Sequence, residues 1–163
     1  VITLQYRVQE CFVASLHGFV PPVDSRVILA LDAYLHWISK DAPIGVSLPG
    51  ARLPVLPDTG YQADPIQGKE VFASYCAACH GENGQGLKRK GGGYIFPPLW
   101  GSDSFSHGAG MARPHIAARF IWANMPYGHG KTLTPKQAED VAAWVDMQWR
   151  KPDPRKGLLG WVE

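Results

Sequence analysis

The residues best equipped for chemistry stand together at Cys76-Ala77-Ala78-Cys79-His80. Two thiols three positions apart, followed at once by an imidazole, make the C-x-x-C-H pattern of covalent c-type haem attachment. The spacing has a chemical reason. The thiols reach the two vinyl-derived carbons on one porphyrin edge as thioethers, and the next side chain, His80, falls under the iron as its proximal ligand. Chance is a poor rival, since a chain of this composition yields about 0.001 such matches. A redox C-x-x-C would follow a strand in a thioredoxin-like βαβ pattern, which this sequence lacks. A zinc site needs two further ligands at finger spacing, and the remaining cysteine, Cys11, offers no second C-x-x-C. The pattern predicts one covalent haem c, held by Cys76 and Cys79 with His80 on the iron.

Iron bound by His80 has a sixth position to fill. Met111, Met125, Met147, His107, His115 and His129 are the candidates. Met147 falls inside a helical pattern, where packing is its natural use, and His115 opens another helix. Met125 stands in Asn124-Met125-Pro126-Tyr127-Gly128, after a helix and before a turn. That placement lets a thioether approach the iron from the face opposite His80. Met125 is the first choice and Met111 the next, because a soft thioether suits haem iron in electron carriers. His/Met ligation raises the reduction potential and fills both axial positions. Outer-sphere electron transfer remains; oxygen or peroxide chemistry at such a haem is disfavoured.

Four helices must position these groups. The first spans about Arg26 to Lys40 with Asp24 or Ser25 as N-cap, its apolar face built from Ile28, Leu31, Leu35 and Ile38. Residues 43–63 carry Pro43, Pro49, Pro54 and Pro57 and read as an extended linker. The second helix opens on Asp64-Pro65, a cap followed by proline at N1, and runs to about Tyr75, directly into the haem motif. A glycine-rich loop follows to Phe96. The third helix covers about Pro114 to Asn124. The fourth opens on the capping box Thr134-Pro135-Lys136-Gln137 and is expected to reach about Arg150, where Pro152 and Pro154 stop any continuation. No stretch alternates well enough to suggest a sheet.

The composition agrees with a small packed unit. The 163 residues are 45% hydrophobic and 18% charged, enough for a core and too apolar for wholesale disorder. A formal net charge of +2 argues against a nucleic-acid binder. Apolar runs are too short for a transmembrane helix. The chain begins at Val1 without initiator Met or signal segment and so reads as a processed or truncated product. The 18 glycines and 14 prolines make about a fifth of the chain, so long loops join few elements and something besides side chains should fill the middle.

Helix, C-x-x-C-H, long loop, helix, methionine loop and helix across residues 64–150 resemble a class I cytochrome c domain. The resemblance implies an all-α fold around one covalent haem. Gly68 and Phe72 on the second helix and Trp144 on the fourth then mark the helix crossing of that fold, where a small residue meets an aromatic one. In Pro97-Pro98-Leu99-Trp100-Gly101 the resemblance implies a proline carbonyl that accepts the proximal imidazole N–H, Pro98 first and Pro97 second, with Trp100 beside the cofactor. The N-terminal segment 1–42, linker 43–63, haem domain 64–150 and tail 151–163 complete the expected organisation.

Longer phrases narrow the resemblance. Tyr75-Cys-Ala-Ala-Cys-His-Gly81, Phe96-Pro-Pro-Leu-Trp-Gly101, Gly108-Ala-Gly-Met111, Asn124-Met-Pro126 and Asp140-Val-Ala-Ala143 resemble the C-terminal haem domain of the dihaem thiosulfate dehydrogenase family. Those periplasmic enzymes interconvert thiosulfate and tetrathionate. Upstream, Arg7-Val-Gln-Glu-Cys11-Phe12, Ser15-Leu-His-Gly18 and Trp37-Ile-Ser39 are similar to the second half of that family's N-terminal domain, making residues 1–42 a partial cytochrome-like segment. The resemblance implies that Cys11 matches an axial ligand of the catalytic haem. Two departures weaken the match: no first C-x-x-C-H lies within this chain, and Ala14 replaces the family's arginine, the bidentate partner of an anionic substrate. Cys11 is thus an orphan ligand, a buried structural thiol or an exposed thiol able to dimerise. The leading expectation is single-electron transfer between redox protein partners, a donor and an acceptor, in the periplasm, soluble or peripheral to a membrane complex of respiratory or photosynthetic type. The alternative is a fragment or divergent member of thiosulfate dehydrogenase. Lys88-Arg89-Lys90 is either a solvated loop or a basic run steering an acidic partner.

Overall fold

The computed structural model describes residues 2–16 and 18–154, so Val1, His17 and residues 155–163 of the expected tail lie outside the described residues. Its elements are α1 (Leu4–Glu10), a π-helical turn (Cys11–Ser15), α2 (Arg26–Ile38), α3 (Pro65–Tyr75), a single turn α4 (Ala77–His80), strands β1 (Leu87–Lys88) and β2 (Tyr94–Phe96), a 3-10 turn (Gly110–Ala112), α5 (Pro114–Asn124) and α6 (Pro135–Asp146). No described helix is long and apolar enough to cross a membrane.

The helix starts follow from the local sequence. Ser25 caps α2 by accepting from the Ile28 amide. The Asp64 carboxylate accepts from the amides of Ile66 and Gln67, with Pro65 in the first turn where a missing N–H costs nothing. Thr134 and Gln137 form the full capping box of α6.

Two expectations are corrected. The glycine-rich loop closes into a short antiparallel pair, β1 with β2, instead of staying irregular; at two and three residues these strands are too short to show a period. Helix α6 ends at Asp146, not near Arg150. Beyond it the chain leaves helical geometry to pair with Gly101, whose amide donates to the Trp149 carbonyl at 2.8 Å, and Arg150 bridges Gly101 in parallel. The Arg150 side chain turns back and donates to the Val145 carbonyl at 2.7 Å, capping the helix whose continuation it was expected to be.

The core lies where α3 crosses α6. Val71, Phe72, Leu133, Val141 and Val145 form one buried cluster, and Ala117, Ala118 and Ala142 join α5 to α6 in a second. Gly68 makes the crossing possible: a Cβ there would run into the Asp140 backbone carbonyl and meet the Trp144 Cβ at 3.0 Å. Gly68→Ala therefore lowers stability by about 3 kcal/mol, at the upper end for overpacking, measured as a fall in the unfolding midpoint with helix content retained at low temperature. Asp140, buried beside this contact, accepts from the Tyr61 hydroxyl at 2.8 Å and the Asp64 amide at 2.7 Å, so the end of the proline-rich stretch is fastened to α6.

The N-terminal segment is joined to the haem half by a buried hydrogen-bonded contact. The Ala14 carbonyl accepts from both the amide (3.2 Å) and the hydroxyl (3.0 Å) of Ser106. Elsewhere the segment is open: Phe19 and Trp37 are among its exposed large apolar side chains, and Ile28 is the buried residue of α2.

Candidate haem site

Helix α3 delivers the chain into α4, where the His80 amide donates to the Cys76 carbonyl at 2.9 Å and the Cys79 amide to the same carbonyl at 3.2 Å. One helical turn thus separates the two cysteines, which places their side chains on one face. Gly81, at φ 80°, ends the turn. Cys76 is half-buried and Cys79 exposed. Burial, and secondarily the neighbouring Cys79, pushes the free Cys76 thiol up to about 11. Reactive redox or metal-binding cysteines are shifted the other way.

A hydrogen bond orients His80, whose ring centre also lies 6.3 Å from that of Phe96. Its Nδ1 lies 2.8 Å from the Pro97 carbonyl oxygen. A carbonyl only accepts, so Nδ1 carries the proton and Nε2 is left with its lone pair for a metal. The acceptor is Pro97 and not the first-choice Pro98, because the Pro98 carbonyl is turned inward to accept from the buried Ser104 hydroxyl at 3.1 Å. Trp100 packs tilted against Phe72, ring centres 5.2 Å apart, and lies against Gly84, whose φ of 58° and lack of Cβ admit the indole. Trp100 thereby wedges the post-motif loop against α3.

The other ligand candidates separate by burial. Met147 is 63% exposed, and His107, His115 and His129 are exposed. Met111 packs against the Ala117–Ala118–Ala142 cluster and is occupied there. Met125 is the C-cap of α5, extended and half-buried, its amide donating to the Ile121 carbonyl at 2.8 Å. Ile121 and, from the haem motif, Cys76 and Ala77 all pack partly buried against the Phe72 cluster. An apolar rim shared by Cys76 and Ala77 of the attachment motif and Ile121 of the helix before Met125, with Cys79 and the free imidazole nitrogen of His80 on the turn that follows Cys76, fits a haem.

Cys11 is exposed, which removes the buried structural thiol from its readings. It opens the π-helical turn, with the Leu16 amide donating to its carbonyl at 3.0 Å; such turns recur at functional sites. Ala14 is 5% exposed and its carbonyl faces the Ser106 junction.

One residue escaped the sequence reading. The Arg150 side chain is wholly buried, 3.3 Å from the Asp146 carboxylate, also buried. Desolvation outweighs the attraction, pushing the Asp146 carboxyl up to about 6 and lowering Arg150 from its ordinary value. An Asp four residues before an Arg was the one available signal, and it is equally that of a surface helix pair.

The family model described as cytochrome c oxidase, cbb3-type, subunit III matches residues 63–145, about half of the chain. The chain is 50% identical to the thiosulfate dehydrogenase of Stutzerimonas stutzeri over 91% of its own length and 48% of that protein. It is 43% identical to that of Thiomonas intermedia, over 95% of the chain and 49% of the relative. A solved thiosulfate dehydrogenase from Marichromatium purpuratum superposes with a TM-score of 0.86 at 40% identity, covering 95% of this chain and 34% of that one. The chain thus spans about half the length of the curated relatives it matches.

Proposed function

Because the chain belongs to the cytochrome c family of that description and carries covalent haem c, we propose that it transfers single electrons in the periplasm, soluble or peripheral to a membrane complex, with His80 and Met125 as axial ligands. When bound, the haem supplies a one-electron iron couple. The residues around it do the rest. Cys76 and Cys79 tether it, and the Pro97 carbonyl holds the His80 ring in one tautomer. Met125 closes the face that would otherwise admit small ligands. The observation that supports this reading most is the committed Nδ1 proton of His80, which leaves one nitrogen for iron beside two thiols on a single helical turn.

Donor and acceptor are redox proteins, free or within a larger respiratory or photosynthetic assembly. Of the basic run, Lys88 lies 4.0 Å from Asp103, so exposed Arg89 and Lys90 are the charges available to steer an acidic partner.

A second reading is favoured by the identity to thiosulfate dehydrogenases, which extends over the N-terminal segment as well, and by the exposed Cys11. In that reading the chain is the electron-relay half of such an enzyme, with Cys11 a ligand to a haem whose attachment motif is outside these 163 residues. The two are separated by assay of this chain alone with thiosulfate and an artificial acceptor. We expect one haem per chain by pyridine haemochrome and turnover well below about 1 s⁻¹, the low end for ordinary enzymes. Faster turnover that Cys11→Ala abolishes would establish the catalytic reading instead.

A further inference from the structure

The buried Arg150 has no part in the haem site as described, yet its guanidinium spans the loop that aims His80. One terminal nitrogen donates to the Leu99 carbonyl at 3.4 Å, and the other donates to the Val145 carbonyl at 2.7 Å and meets Asp146 at 3.3 Å. Its central carbon lies 4.2 Å from the centre of the Phe105 ring. Leu99 and Phe105 are the two ends of one loop segment. The Leu99 peptide is held on both sides, its amide donating to the Gly84 carbonyl at 2.8 Å and its carbonyl accepting from Arg150. Within the segment, the Ser104 hydroxyl ties back to the Pro98 carbonyl. Two residues before Leu99 is Pro97, whose carbonyl accepts the His80 proton.

From this geometry, and resting on the reading that His80 ligates haem iron, we propose that Arg150 is a positioning residue for the proximal ligand: it clamps Leu99 and Phe105 so that the Pro97 carbonyl stays on the His80 Nδ1–H. A planar fork is needed for the task. The guanidinium bonds carbonyls on two separate elements while its face rests on an aromatic ring, and a lysine ammonium, a point charge, cannot do both. The hydrogen bond it protects makes the imidazole more basic and favours ferric iron. Loosening the clamp therefore favours ferrous iron.

The test uses the haem-loaded protein and Arg150→Lys, which keeps the charge and removes the fork. The far-red band of methionine ligation is expected to persist. At a fixed ambient potential the ferrous-to-ferric ratio should rise about threefold or more, and the His80 Nδ1 proton, followed by NMR, should exchange with solvent about tenfold faster. Phe105→Leu, which removes the ring under the guanidinium with no change of charge, should move both readouts in the same direction, and it carries the test if the lysine variant does not mature. Unchanged ratio and exchange in the variants, with only a lower unfolding temperature, would overturn the proposal and leave Arg150 a helix cap. Wild-type protein with no haem-linked His80 signal would overturn the ligand reading and this inference together.

Discussion

Met125→Ala produces a haem protein that binds carbon monoxide in its ferrous form, where the parent does not. The half-buried thioether at the end of α5 is the side chain assigned to the sixth position, and alanine leaves nothing to fill it. The ferric far-red band of thioether ligation disappears. The reduction potential falls on the order of 0.2 V, a fraction of the roughly 0.8 V range over which axial ligands tune haem iron. The sign follows from the replacement: a thioether favours ferrous iron over the water or hydroxide that enters instead. Met111→Ala is the control. Met111 packs on the alanine cluster between α5 and α6, so its loss costs stability and leaves carbon monoxide excluded. The reverse pattern, with carbon monoxide admitted by Met111→Ala and not by Met125→Ala, would move the ligand to the 3-10 turn.

Cys79→Ala or Cys76→Ala yields little or no mature protein. When bound, the haem would cover apolar side chains that the chain's own packing leaves partly exposed. Cys76 packs against the buried Phe72 cluster, along an apolar rim with Leu99 and Trp100 that is only partly covered in the polypeptide itself. Without both thioethers that rim faces water, and the small core at the α3–α6 crossing has little left to offset chain entropy. The check is acid-acetone extraction. In the parent all haem stays with the polypeptide; in either variant the residual haem is extractable and the yield falls at least tenfold. Haem that extracts freely from the parent would remove the covalent assignment. Double replacement should be no worse than either single one, because the two thiols act through one group.

How much was legible beforehand follows the range of each interaction. The caps at Ser25, Asp64 and Thr134, the termini of α3 and α5 and the attachment motif are all set within a few residues, where periodicity, proline at N1 and thiol spacing act directly. Gly68 at the crossing was legible through the family resemblance, which supplied the geometry that spacing alone lacks. What failed lay at longer range. The choice of Pro97 over Pro98 depends on which carbonyl the Ser104 hydroxyl claims as the loop folds. The end of α6 at Asp146 depends on Gly101 capturing the strand beyond it, a competition that local helix propensity does not register. Cys11, for which the sequence left an exposed thiol among three readings, is exposed, in a segment that meets the haem half through Ala14 and Ser106, 92 positions apart. The sequence by itself determined that haem c is the cofactor and pointed to the thiols and the imidazole proposed to hold it, because covalent reach along one helical turn is a local property. Only the tertiary structure decided which carbonyl aims the imidazole and which buried cation holds that carbonyl's loop, because those bonds join residues 17 and 51 positions apart and form only when packing has brought them together.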